Sequence, residues 1–144
     1  MAEELKPLLT AETKTKVSST LDKSVGKKYL TDGSPETCWT SQQGTPQHIQ
    51  ITFKDPVVPK RLSITFQGGF VGTRCALEVR SGDSVEWRTW TRVYPEDVNR
   101  AQSFDLPDDM VQDSINSLRL VFEESSDFFG RITVYDLQLF GKIL

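Results

Sequence analysis

Oxygen-bearing side chains cluster in the short segment 30–41, where two turn signals fold the chain back on itself. Its Asp-Gly and Ser-Pro pairs both favour turns, because glycine tolerates positive φ and proline presets its own φ. A loop this tight directs the side chains of Asp32 and Thr37, with the carbonyls between them, toward one point. Oxygen donors of this kind suit a hard cation such as calcium. The alternative is a loop in which Asp32 and Thr37 cap backbone amides without an ion.

Two further loops carry residues that a purely structural loop does not require. Paired glycines in 67–74 allow a tight path that presents Phe70 and Arg74 outward. The loop 125–131 places an acid, two aromatics and a base close together: Asp127, Phe128, Phe129 and Arg131. Aromatics and arginine are typical anchors of protein interfaces. An aromatic ring with an acid and a base beside it also suits a sugar, which could stack on the ring and accept hydrogen bonds from, or donate them to, the charged groups. The alternative is that the phenylalanines simply pack into the end of the fold. If the segment is extended, the two adjacent rings point to opposite sides, so that one is exposed.

The remaining residue types give little support to catalysis. His48 is the single histidine, and it lies in an alternating segment that turns it toward solvent. No nucleophile elbow, phosphate loop or dinucleotide fingerprint is present. The tryptophans Trp87 and Trp90 are predicted as core and hairpin residues rather than ligand platforms. We predict that the protein is not an enzyme.

Short β-strands are the elements that must position these loops. Strict alternation of apolar and polar residues predicts strands at 47–53, 62–66, 118–122 and 134–139, and a short first strand at 17–21. Turn residues separate the strands, among them Lys54-Asp55-Pro56. A single helical turn is predicted at 107–112. Many short strands with turns between them indicate an all-β sandwich or jelly roll.

Composition predicts one globular domain of 144 residues, with a polar N-terminal segment at 1–25 and a β-sandwich at 26–144. The formal net charge is −3, which disfavours direct nucleic-acid binding because binders of phosphate are usually basic. No apolar run approaches the roughly 20 residues that span a bilayer. The N-terminus has no apolar core of a signal peptide, so secretion is not expected. The two cysteines, Cys38 and Cys75, have no metal-site spacing.

The pattern Asp32-Gly33-x-x-x-Thr37-x-Trp39-x-Ser41 resembles the loop that opens discoidin-type domains, also called coagulation-factor type C domains. These domains belong to the galactose-binding-like superfamily. The segments that resemble its later strands are 47–53, 62–66, 77–87, 118–122 and 132–141. The likeness runs from about residue 28 to the C-terminus and implies a discoidin-like jelly-roll β-sandwich. Within the superfamily, 66–70 and 127–131 resemble a small intracellular subfamily of nuclear-receptor-associated proteins.

The resemblance also implies a structural calcium site. Carbohydrate-binding relatives hold the ion with the Asp and Thr of this loop and with an acid shortly before the closing glycine. These positions correspond to Asp32, Thr37 and Asp136, with backbone help near Tyr29 and Ser34. The family more often has glutamate where this chain has Asp136. The ion would fix a loop and take no part in chemistry.

For function, the resemblance implies a monomeric adaptor that binds a nuclear receptor or another regulatory protein and modulates transcription without binding DNA. Its expected location is the nucleus, the cytoplasm or both. Many extracellular discoidin domains join their two ends by a disulfide, and the lack of cysteine near either end favours a reducing compartment. The alternative is a module that binds glycans or lipid head groups, as much of the superfamily does.

Overall fold

The computed structural model describes residues 4–82, 84–108 and 114–144. Their strands form one continuous antiparallel sheet that folds over along one long strand into two packed halves, which we call the first and second sheets. None of the described helical segments has the length and apolar character needed to cross a membrane. Two short 3-10 turns, Lys23–Val25 and Lys27–Leu30, precede the Asp32 loop. The strands are β1 (Lys6–Pro7), β2 (Lys14–Val17), β3 (Trp39–Thr40), β4 (Gln47–Phe66), β5 (Gly72–Arg80), β6 (Arg88–Val93), β7 (Ala101–Asp105), β8 (Ile115–Ser125) and β9 (Thr133–Ile143).

Strand β4 runs through both sheets, which corrects the prediction of two strands separated by a turn. Its first part pairs with β2 and β8, and its second part pairs with β7 and β9. The register with β8 shifts between Thr52 and Val57. Lys54-Asp55-Pro56 falls within this shift, and a bulge of this kind bends a strand without ending it. The turn residues were therefore identified correctly, but they bend the chain from one sheet into the other.

The first sheet has the order β2-β4-β8-β5-β6. In the second sheet, β9 lies between β4 on one side and both β1 and β3 on the other, and β7 lies at the far edge of β4. This arrangement confirms the all-β sandwich predicted from the sequence. The strand predicted at 17–21 is instead β2, at Lys14–Val17, and the short β1 precedes it. The helical turn predicted at 107–112 lies largely outside the described residues.

The core lies between the sheets and is built from the inward positions of the alternating strands. Trp39, Phe66 and Phe122 are fully buried, and the rings of Phe66 and Phe122 meet edge to face at 5.7 Å. The Trp39 indole nitrogen donates to the carbonyl of Ser19 at 3.0 Å, so this buried polar group is satisfied. Leu8, from the N-terminal segment, is also buried and donates its amide to Leu139 at 2.8 Å. The two sheets therefore share one core that fixes the loops at their ends.

Candidate functional site

A tight turn at 127–130 presents two aromatic rings at one end of the sandwich. The amide of Gly130 donates to the carbonyl of Asp127 at 3.0 Å, which places Phe128 and Phe129 at the corners of the turn. Gly130 has φ +82° and lies against the backbone of Gly44, where an added Cβ would come within 2.9 Å. The amide of Gly44 in turn donates to the carbonyl of Phe129 at 2.8 Å. Backbone hydrogen bonds thus hold the turn, and the side chains of Phe128 and Phe129 are free to contact a partner.

Both phenylalanine rings point outward. Phe128 is 94% exposed and Phe129 is 55% exposed, and the rings meet edge to face at 5.3 Å. The expectation that one ring enters the fold is wrong, because the segment is a turn rather than an extended strand. Sequence alternation applies only where the backbone is extended.

Arg131 joins this turn to the neighbouring loop that carries Phe70. Its Nε and its backbone amide both donate to the same oxygen of Asp127, each at 3.0 Å. Its guanidinium lies over the ring of Phe70 at 5.0 Å and over that of Phe129 at 6.0 Å. The hydrogen bond from the Arg131 side chain is the main cause that lowers the pKa of Asp127. Aromatic, acid and base therefore form one connected cluster.

A third loop, 94–100, holds in place the loop 67–71, which contains Gly68 and Gly69 and which we call the glycine loop. One carboxylate oxygen of Asp97 accepts the amide of Gly69 at 2.7 Å and the hydroxyl of Ser126 at 3.2 Å. The Ser126 hydroxyl also accepts the amide of Val71 at 2.9 Å. Sequence reasoning missed Asp97 and its neighbour Asn99, which accepts from the amide of Gly68. Asp and Asn are common in loops of all kinds, so their presence in this connection did not distinguish it from an ordinary loop. We call the loops 42–46, 67–71, 94–100 and 125–131 together the apex.

Arg74, predicted as a binding residue, does not join the apex cluster. It lies on β5, and its guanidinium pairs with Glu123 at 3.2 Å and with Glu124 at 3.4 Å. Arg92 pairs with the same Glu123 at 2.9 Å, and its hydrogen bond is the main cause of the lowered pKa of Glu123. These charges form a network on the outer face of the first sheet, beside the apex.

The structure brings Asp32 and Thr37 together, as the sequence predicts. The Thr37 hydroxyl donates to one carboxylate oxygen of Asp32 at 2.6 Å, and the amide of Ser34 donates to the other at 3.0 Å. The Thr37 bond is the larger cause that lowers the pKa of Asp32. The carbonyl of Ser34 lies 3.4 Å from the Thr37 hydroxyl. A carboxylate, a hydroxyl and a carbonyl thus converge in one loop.

A bulge in β9 positions Asp136 toward this loop. Thr65 of β4 pairs with Asp136 but Phe66 pairs with Val134, so Tyr135 is the extra residue. Asp136 lines a cleft of about 440 Å³ together with Gly33 and Ser34. Burial is the main cause that raises the pKa of the Asp136 carboxyl, and the charge of Asp32 raises it further.

The donor set around Asp32 and Asp136 fits a hard cation. All the donors are oxygen, and the two carboxylates repel each other, which a bound cation would relieve. Tyr29, the other predicted backbone contributor, lies in the 3-10 turn just before the loop. Within the described ranges no three His, Cys, Asp or Glu side chains converge, so an ion here would depend on two carboxylates and on neutral oxygens.

The remaining residues that the sequence singled out lie on or beside the first sheet. His48 is half-buried, and its pKa is lowered chiefly by burial and then by the charge of Arg119. Trp90 packs against the core as predicted. Trp87 is half-buried on the outer face instead, with the guanidinium groups of Arg80 and Arg119 over its ring.

Comparison with known proteins gives close relatives in sequence and distant ones in structure. No family model matches the chain. It is 42% identical over 138 residues to the nuclear receptor 2C2-associated protein of Danio rerio, covering 94% of this chain and 95% of the relative. It is 37% identical to the protein of the same name from Homo sapiens, over 94% of this chain and 96% of the relative.

Among solved structures, the fold is similar to an F5/8 type C domain from Bacteroides fragilis, with a TM-score of 0.77, 15% identity and coverage of 97% and 98% of the two chains. It is also similar to the family 32 carbohydrate-binding module of Clostridium perfringens NanJ, a structure in complex with galactose. There the TM-score is 0.76 at 13% identity, over 95% and 99% of the two chains. At such identities these structures support the fold alone.

Proposed function

The chain belongs to the nuclear receptor 2C2-associated protein family, and we propose that it is a non-catalytic adaptor that binds a nuclear receptor through its apex. In this proposal it modulates transcription through that protein contact and does not bind DNA. The net charge of −3 supports the second part, because an acidic protein gains little from contact with phosphates.

The exposed Phe128 is the observation that carries the proposal. Its ring, 94% exposed, adjoins the 55% exposed ring of Phe129, and contiguous exposed apolar surface of this kind is typical of protein interaction sites. The backbone bonds of the 127–130 turn and the Asp127–Arg131 pair fix the backbone that carries this ring, and the ring contacts that of Phe129 edge to face, before any partner arrives. Preorganised aromatic anchors lose little conformational entropy on binding, and they contribute about 2 kcal/mol or more when buried in an interface.

Direct binding of purified nuclear receptor 2C2 tests the proposal. We expect Phe128→Ala to weaken binding at least tenfold, which corresponds to roughly 1.4 kcal/mol. Val85→Ala is the matched control, since Val85 is also an exposed apolar residue, at 82%, but lies in another loop. Equal affinities of Phe128→Ala and wild type would show that the apex is not the receptor site.

Glycan binding is the second candidate, favoured by the aromatic, acid and base at the apex. The pairing of Asp127 with Arg131 counts against it, because those groups already satisfy each other and offer fewer hydrogen bonds to sugar hydroxyls. Calorimetric titration with galactose tests this candidate. Saturable heat that disappears in Phe129→Ala would favour a sugar site, whereas no heat with galactose leaves the receptor proposal in place.

We also propose that Asp32, Thr37 and Asp136 hold a structural calcium ion, with the backbone near Ser34 and Tyr29. The ion would neutralise the two carboxylates and hold the Asp32 loop against β9, and the chain's own residues would supply only oxygen ligands.

The proposed location is the nucleus, the cytoplasm or both, which imaging of the tagged full chain would test. A reporter gene driven by the receptor tests the effect on transcription, and Phe128→Ala should reduce that effect.

A further inference from the structure

A second surface, separate from the apex, lies on the outer face of the first sheet. It contains four cations, Lys14, Lys16, Arg80 and Arg119, which we call the basic face. Lys14 and Lys16 are exposed on β2, whose alternate residue Val17 packs against the core. Arg119 occupies a half-buried outward position of β8 between the fully buried Leu118 and Leu120, and Arg80 is half-buried at the end of β5, after the fully buried Val79. All four side chains therefore belong to the same face of one sheet.

Strand register brings these cations close together. Lys16 lies opposite Gln50, Gln50 opposite Arg119, and Arg119 opposite Glu78, which makes one row across four strands. The adjacent row runs from Lys14 through Thr52 and Ser117 to Arg80. Strands are about 4.8 Å apart, so the cations of each row span about 10–15 Å.

The charge of this face is opposite to that of the whole molecule. The chain has 20 acidic and 17 basic residues, whereas the two rows just described contain four cations and one acid, Glu78. Glu78 is already paired with Arg119, whose Nη2 and Nε lie 2.6 and 2.8 Å from one carboxylate oxygen. Lys14, Lys16 and Arg80 form no ion pair with any carboxylate of the described ranges. A local positive field results on an acidic protein.

Trp87 orders the two arginines of the face. Its ring lies 4.4 Å from the guanidinium carbon of Arg80 and 4.5 Å from that of Arg119. Stacking on an aromatic ring restricts both side chains while their remaining N–H donors stay available. The entropy of ordering these two side chains is thus already lost before a ligand binds.

We propose that the basic face binds an extended acidic peptide segment of a protein partner. The cations are spread over the outer surface of a sheet and span four strands, which suits an extended chain better than a small anion. A peptide with spaced carboxylates can pass Glu78, whereas a nucleic acid has a phosphate at every step and meets an acidic protein. This proposal is independent of the receptor contact at the apex.

Fluorescence anisotropy with a fluorescein-labelled octaglutamate peptide tests it. At about 50 mM salt we expect saturable binding that weakens as salt screens the charges. The double substitution Lys14→Glu with Lys16→Glu should weaken binding by roughly tenfold or more. The matched control is Lys6→Glu with Lys23→Glu, which changes the net charge equally at exposed positions outside this face and should change affinity less than about twofold.

Trp87 provides a readout that needs no charge variant. Its fluorescence should change on addition of the unlabelled peptide, because Trp87 contacts two of the proposed ligand-binding residues. Equal weakening in the two double variants, or no saturable binding by wild type, would overturn the proposal. Tighter binding of a single-stranded oligonucleotide than of the peptide would overturn the choice of ligand and identify a nucleic-acid surface.

Discussion

At the scale of single residues, the surroundings of the Asp136 carboxyl group disfavour its charged form. Asp136 is half-buried and lies near Asp32, and both circumstances raise its pKa. A raised carboxyl pKa means that the folded state binds the proton more tightly than the unfolded state does. Stability therefore falls as the pH rises through the ordinary pKa of 3.8 toward the raised value, and at neutral pH the folded state bears the full penalty.

The stability lost to the charged Asp136 carboxylate can be tested by comparing the protein without calcium and with calcium. In calcium-free buffer at pH 7, Asp136→Asn should melt at a higher temperature than wild type, because the amide carries no charge to bury. The difference should shrink as the pH falls below about 4, where Asp136 is protonated in both states. On adding calcium, wild type should gain thermal stability and the variant should gain less.

Thermal melts with and without a chelator measure all of these quantities. Glu36→Gln is the control, since Glu36 is an exposed acid of the same loop and lies outside the proposed ligand set. If wild type showed no response to millimolar calcium, the ion would be excluded at those concentrations. The raised pKa of Asp136 would then reflect a structural carboxylate only.

At the scale of elements, the position of the glycine loop depends on the neighbouring loop 94–100. In our proposal that neighbouring loop does not itself contact the partner. Asp97 of the 94–100 loop holds Gly69 and Ser126, so its effect on Phe70 and Phe128 is one of position. The loops on either side are anchored to β4, β5, β8 and β9, whose ends meet at the apex. The apex is therefore a product of four connections rather than of one motif.

Asp97→Ala should lower the free energy of unfolding by about 1 kcal/mol, since the amide of Gly69 loses its acceptor. It should also weaken receptor binding, because the apex loops are no longer joined. Asp97→Asn is the conservative control, as its amide oxygen can still accept both hydrogen bonds. Urea denaturation and the receptor binding assay measure the two effects, and equal loss in both variants would contradict a positioning role.

The pairing of β9 with β4 leaves no room for a side chain at Gly141. A Cβ built there would lie 2.1 Å from the carbonyl oxygen of Val58 and 3.0 Å from Leu8. Gly141→Ala should therefore reduce the free energy of unfolding by about 1–3 kcal/mol or more, as overpacking does. Gly26→Ala is the control, because Gly26 has φ −77° and its nearest neighbouring atom is 4.0 Å away. Urea denaturation should show that the control changes stability by less than about 1 kcal/mol.

At the scale of the whole molecule, the sandwich holds two surfaces apart. The apex lies where Gly72 of β5 pairs with Ser125 of β8, and the basic face lies where Arg80 pairs with Ser117. The eight residue steps along β5 from Gly72 to Arg80 correspond to roughly 26 Å of extended strand. If both proposals hold, this distance allows the chain to contact two partner segments without competition between them.

Effects of substitutions at the two surfaces should accordingly be additive. Combining Phe128→Ala with the Lys14→Glu and Lys16→Glu pair should lower receptor affinity and octaglutamate affinity by the same factors as the separate variants, within about 0.5 kcal/mol. Measurement of both affinities on all three variants tests this. A coupling larger than that would mean that the two surfaces are linked through the sheet or contact the same ligand.

The sequence by itself determined the class of fold and the loops of interest. Period-2 alternation specifies which side of each strand is buried, and turn residues specify where the chain reverses, so both can be predicted locally. The opening motif placed Asp32 and Thr37 in one loop, and their contact depends only on nearby residues. The bend in β4 was not predictable from its turn signal, because pairing with two different sheets decides whether a chain turns or bends.

Only the tertiary structure decided which loops meet. Asp97 lies 29 residues from Ser126 in sequence, and Arg74 is closer in sequence to Phe70 than Arg131 is, yet Arg131 makes the contact. The basic face likewise exists only once β2, β5 and β8 lie side by side. Such groupings depend on strand order and register, which follow from burial of the whole core rather than from any short segment.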